Sequence, residues 1–212
     1  MATPKEALTG TDQPININSN AKASPCNQLI DNTDTVSFKN NDQSDAALVT
    51  FLGAGAGEFT YQGQPVTALT IPAGESVGPL TPVSANVTVN YNVKVATSSG
   101  EAFAIEVGTG PLEIDIVDDD GTTEPNEAGI PNNGSFFFKN ESADDQASIS
   151  FAGDTGAFHY QNGDPVVSPV VVAAGSSSAT IFGQGTNKKV TYSIIMSAAA
   201  GGGNGTIKVG QT

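Results

Sequence analysis

The chain has 212 residues, 14% of them charged, and a formal net charge of −14. This charge excludes a nucleic-acid surface, which displaces counterions with Lys and Arg, and argues equally against an anionic membrane face. Gly, Ser, Thr, Asn and Val are abundant and runs of strong helix formers are absent, which favours strands and turns.

Residues 1–12 are polar and aperiodic and are expected to form a flexible arm. Met1 to Gly10 lacks the apolar core of a secretory signal. The expected compartment is the cytoplasm if Met1 is native, and secreted or periplasmic if a signal was removed. No apolar run approaches the roughly 18 residues that span a bilayer.

Pro14 to Asn18 alternates apolar and polar residues, as a half-buried strand does. Ser19 to Thr35 reads as a long loop carrying Cys26, the single cysteine. No disulfide closes within one chain, so Cys26 is a spare thiol or an intermolecular link. Strands are then expected at 36–40, 46–52, 58–62, 69–71, 76–80, 87–96 and 103–107. In Val87 to Val95 every apolar residue holds an odd number, so one face is core and the other wet. Gly53-Ala-Gly-Ala-Gly57 imitates a phosphate loop but leads into a strand pattern, where phosphate binding needs a helix N-terminus, and is expected to be a turn.

From residue 110 the pattern starts again. Phe38 and Phe138 differ by 100, as do Lys39 and Lys139, Asn40 and Asn140, Phe51 and Phe151, and Gly53 and Gly153. Phe59 and Tyr61 match Phe158 and Tyr160 at 99, Tyr91 matches Tyr192 at 101, and Ile105 matches Ile207 at 102. A period near a hundred residues is that of a domain. Two homologous domains are expected, 13–109 and 110–212, meeting end to end near Gly108-Thr-Gly110 with restricted freedom. Seven or eight short strands in each imply an all-β fold, two antiparallel Greek-key β-sandwiches.

The second copy's first loop, 117–134, concentrates negative charge: Asp115, Asp118, Asp119, Asp120, Glu124 and Glu127 lie on or beside it. Scored as an EF-hand loop from Ile116, it places Asp118, Asp120, Gly121 and Glu127 at positions three, five, six and twelve. Ile at position one does not ligate and no helix flanks the loop. Asp118, Asp120 and Glu127 are therefore the candidate Ca²⁺ ligands, set against a plain solvated loop. His159, the only histidine, alternates away from Phe158 and Tyr160 and is expected to be solvated.

The second copy offers Ile114-Asp-Ile116, Pro125, Gly134-Ser-Phe-Phe-Phe-Lys-Asn140, Ala174-Gly-Ser176, Tyr192 and Gly205-Thr-Ile-Lys-Val209. The first supplies Ile71-Pro-Ala-Gly-Glu-Ser76, Tyr91 and Ile105-Glu-Val107. This order resembles the cupredoxin-like family, with an immunoglobulin-like sandwich as the alternative. Copper-bearing members place a His after the Asn of the Phe-x-Asn strand, and a Cys, a second His and often a Met before the last strand. Residues 41–48 and 141–149 hold no His, and of that ligand set only Met196 is present. The resemblance therefore implies copper-free domains, since a lone thioether does not hold copper.

One His and one Cys leave no material for a triad or a zinc site. Paired carboxylates suggest glycoside hydrolysis only in aromatic-lined clefts, and the chain has no Trp. The expectation is a protein that is not an enzyme, without cofactor unless Ca²⁺ binds. Its expected role is structural or protein-interacting, with glycan binding as the alternative and homo-oligomer formation open.

Overall fold

A computed structural model describes residues 10–108, 110–117, 119–198 and 202–211. Residues 1–9 of the expected arm lie outside them, and the first strand already begins at Asp12. The first half contains β1 (Asp12–Ile17), β2 (Ala23–Ser24), β3 (Asn27–Ile30), β4 (Thr35–Asn40), β5 (Ala47–Phe51), β6 (Phe59–Tyr61), β7 (Gln64–Val66), β8 (Ala68–Ile71), β9 (Ser76–Pro82), β10 (Val87–Val95) and β11 (Ser98–Val107). The second contains β12 (Leu112–Ile116), β13 (Thr123–Glu124), β14 (Glu127–Ile130), β15 (Ser135–Asn140), β16 (Ala147–Gly153), β17 (Phe158–Tyr160), β18 (Val170–Val172), β19 (Ile181–Gly183), β20 (Lys188–Met196) and β21 (Gly202–Val209). The fold is all-β, and no helix among the described residues is long and apolar enough to cross a membrane.

The strands form three sheets. A six-stranded sheet runs β2-β1-β4-β9-β6-β7, and a five-stranded one runs β13-β12-β15-β19-β17. Between them lies a ten-stranded sheet, β18-β16-β20-β21-β14-β3-β11-β10-β5-β8, to which both halves contribute. Each half is thus a sandwich of its own small sheet against its own part of the large one.

Alternation builds the layers. In β10, Val89, Tyr91, Val93 and Val95 are buried while Thr88, Asn90 and Lys94 face out. Phe38 meets Tyr91 edge-on at 5.3 Å and 77°, and Phe138 meets Tyr192 at 5.2 Å and 77°. Gly53–Gly55 is a short 3₁₀ turn, as expected. A Cβ on Gly55 would stand 2.9 Å from Val89 Cγ1, so only Gly lets this turn lie on β10.

Two expectations are corrected. The sheets are mixed rather than purely antiparallel: β1 pairs parallel with β4, β12 with β15, β3 with β11 and β14 with β21. Parallel neighbours need a crossover of a dozen or more residues, and the segments after β1 and β12 are long enough to supply it. Those segments, read as loops at 19–35 and 117–134, also contain β2, β3, β13 and β14.

The halves meet side by side rather than end to end. β3 and β14 pair in parallel through Asn27 with Ala128 and Gln28 with Gly129, making the large sheet continuous. Leu29 belongs to the second core and Ile30 to the first. Adjacent strand residues point to opposite faces, so the two cores lie on opposite sides of the shared sheet.

Candidate functional site at the junction of the halves

β3 and β14 are four residues each, and little of either is exposed, since both faces are covered. Gln28 packs over Gly129: a Cβ there would stand 2.6 Å from Pro25 Cγ and 2.8 Å from Gln28 Cδ. Gln28 Nε2 donates to the Leu29 carbonyl at 2.8 Å.

A polar clasp closes one face of this seam. Lys208 Nζ, on β21, lies 2.5 Å from Glu127 Oε1 and donates to Ser24 Oγ at 2.6 Å. Ser24 Oγ in turn donates to Glu127 Oε1. Cys26 Sγ donates to the Glu127 carbonyl at 2.9 Å, and burial pushes its thiol pKa up. Cys26 is thus a half-buried junction residue rather than a spare loop thiol.

The other face is a re-entrant corner of about 560 Å³ where Glu106 of β11 faces Glu113, Asp115 and Glu124 of the second half. Asp115 is raised to about 6, first by burial and then by its hydrogen bond to Glu113 and that group's charge. Glu106 is also raised, by burial and then by Glu113. Lys139 pairs with Glu141 at 3.0 Å, Glu113 at 3.2 Å and Asp115 at 3.6 Å. Its own pKa is raised, first by the hydrogen bond to Glu141 and then by that to Glu113.

The candidate calcium ligands are engaged differently. Asp118 lies outside the described residues. Asp120 Oδ1 accepts from Thr122 N at 2.9 Å and Thr122 Oγ1 at 2.7 Å, bonds that close its own loop and lower its pKa. Glu127 is held by Lys208 and Ser24 across the seam. Among the described residues no group of three or more His, Cys, Asp or Glu is arranged to hold a metal ion.

Met196 is buried in the second core, and His159 stacks on Phe182 at 5.8 Å, away from its aromatic neighbours along β17. The residues after Asn40 and Asn140 build tight loops. Asn40 Nδ2 donates to the carbonyls of Asp45, Ile71 and Pro72 at 2.8, 3.3 and 3.2 Å. Asn140 Nδ2 donates to those of Asp145, Val172 and Ala173 at 2.7, 3.3 and 3.3 Å. The Asn is therefore a clamp between the loop and the neighbouring strand in both halves. The seam itself was missed in the sequence; the signal available was Asn27-Gln-Leu-Ile30 set a hundred residues before Glu127-Ala-Gly-Ile130.

No family model and no curated protein matches the chain. Among solved structures it is similar to a copper-containing nitrite reductase from Thermus scotoductus SA-01, at 12% identity and TM-score 0.32, covering 94% of this chain and 68% of that one. A multicopper oxidase variant from Aquifex aeolicus matches at 10% identity and TM-score 0.33, covering 95% and 66%. Lac15 from a marine microbial metagenome matches at 11% and 0.32, covering 97% and 67%. The chain spans about two thirds of these structures. The oxidase and reductase neighbours are enzymes by name, and the expectation that this chain is not an enzyme is withdrawn. At these identities and TM-scores the likeness assigns no activity to this chain.

Proposed function

We propose that the chain is a structural or protein-interaction protein in which two cupredoxin-like sandwiches, residues 13–109 and 110–212, are presented as one joined unit without copper. The observation that carries this reading is β3, which gives Ile30 to one core and Leu29 to the other. A strand shared in this way ties the orientation of each half to the packing of its neighbour. Two further features support it. The loops after Asn40 and Asn140, where copper-bearing members of the resembled family carry a His, are built from hydrogen-bonded Asn, Asp and Ser. The one histidine and the one cysteine serve a ring stack and the seam respectively.

Elemental analysis of the purified full chain, followed by copper titration, tests the copper-free part. The expected result is substoichiometric copper and no intense visible absorption. Stoichiometric copper with a strong visible band would overturn it.

A further inference from the structure

The seam is asymmetric in charge. On one face Lys208, Glu127 and Ser24 draw the halves together. On the other, four carboxyl groups line a single corner, Glu106 from the first half and Glu113, Asp115 and Glu124 from the second. Asp115 sits opposite Lys139 on β15 and Glu124 on β13 in the strand register. The charged groups facing it are thus Glu113 on its own strand, Lys139 and Glu141 from β15 and its exit, and Glu124. Lys139 is the one cation among these, and it is shared with Glu141. Asp115 Oδ1 is buried without a hydrogen bond, although Lys139 Nζ stands 3.6 Å away. Glu106 projects into the same corner from the first half, with Glu113 as its charged neighbour.

We propose that this corner is an acid-sensitive element that sets how tightly the two halves dock, the carboxyl of Glu106 repelling those of Glu113 and Asp115 when charged and closing on them when protonated. The clasp of Lys208, Glu127 and Ser24 on the opposite face acts as the fulcrum. Like charges converging in a partly desolvated cleft cost free energy that protonation removes. Glu106 and Asp115 are already displaced in the direction this requires, both holding their protons to higher pH than free carboxyls. Docking therefore tightens as pH falls from neutrality through about 6. This deepens the one-unit reading above and rests on it through the shared seam, while the copper measurement and the labelling measurement below fail independently.

Cys26 supplies the readout, because it stands where the clasp meets the corner: it lines the corner, and its half-buried thiol bonds the Glu127 carbonyl across the seam, a bond that loosening exposes. The full chain is treated with 4,4′-dithiodipyridine, a neutral reagent, at about pH 7.5 and pH 5. Glu106→Gln and Asp115→Asn are compared with the unmodified protein at each pH, so the thiol's own ionisation largely cancels. At pH 7.5 each variant should react about fivefold more slowly, the scale of a kilocalorie of added docking. At pH 5 the ratio should move toward one, furthest for Asp115→Asn, whose carboxyl is raised to about 6. Removing a nearby negative charge would by itself favour the thiolate and speed the reaction, so the predicted slowing has the opposite sign. Equal or faster rates in the variants at pH 7.5 overturn the proposal. The unmodified protein gives an independent check: added salt at pH 7.5 should slow labelling by screening the corner, and an unchanged rate there also overturns it.

Discussion

Tyr192 Oη lies 2.9 Å from Thr123 Oγ1 in the second core, a bond that the first core does not repeat. Tyr91 is the matching tyrosine, and its hydroxyl is buried without a partner. The position matching Thr123 is Ala23, a hundred residues earlier, and a methyl group accepts nothing. Burial raises both phenols, Tyr192 to about 12.

Ala23→Thr is accordingly expected to stabilise the protein by about 1 kcal/mol by giving Tyr91 a partner, and Thr123→Ala to cost about 1–3 kcal/mol. Tyr91→Phe should be neutral or slightly stabilising, while Tyr192→Phe should cost about 1 kcal/mol. Denaturant midpoints for the four variants check these signs. Equal losses for the two Tyr→Phe variants would contradict the difference between the cores.

Phe138→Ala should destabilise the protein by roughly 3–5 kcal/mol, as for a buried aromatic. Phe138 is fully buried and packs on Phe136, Phe151 and Tyr192, whereas Phe137 on the other face is half-buried. Phe137→Ala should therefore cost clearly less. Chemical denaturation of both variants decides it, and similar losses would mean the faces of β15 are misassigned.

The layers were legible in the sequence where one side of a strand is wet, because alternation then appears as period two. Val87 to Val95 shows this, and so do Ile15, Ile17, Ile114 and Ile116. The seam was not legible for the complementary reason. β3 and β14 are short and covered on both faces, so Leu29 and Ile30 stand as consecutive apolar residues without a period. Parallel pairing of β1 with β4 has no local signature either, since it is set by a crossover. Of the candidate site, the acidic corner was visible only as charge near residue 115. That Glu106 joins it is a tertiary fact.

Stability should rise as pH is lowered from about 7.5 to about 5. Asp115 and Glu106 have raised pKa values in the folded protein, so their contribution is fully present below the ordinary carboxylate value and is lost as pH climbs through about 6 for Asp115. Asp42 and Asp120 are lowered, Asp42 by donors from Asp45 and Ser44, and Asp120 by Thr122; their contribution is lost as pH falls through and below 3.8. Melting temperatures should rise from pH 7.5 to pH 5 and turn down only on further acidification toward and below 3.8. A monotonic fall from pH 7.5 downward would contradict the assignment.

Millimolar Ca²⁺ should leave the melting temperature unchanged. Glu127 is already held by Lys208 and Ser24, and Asp120 by Thr122, so an ion would have to break these bonds before linkage could stabilise the fold. A clear rise that disappears in Asp120→Asn would show that the loop binds calcium after all.

The central claim is that the two sandwiches form one unit through β3 and β14. Scanning calorimetry of the full chain at about pH 5, below the value near 6 to which Asp115 is raised, tests it most directly. The account predicts one transition with equal calorimetric and van't Hoff enthalpies, which splits into two in Gly129→Val, where the added side chain displaces Gln28 and Pro25 from the seam. Two separate transitions in the unmodified protein would contradict it.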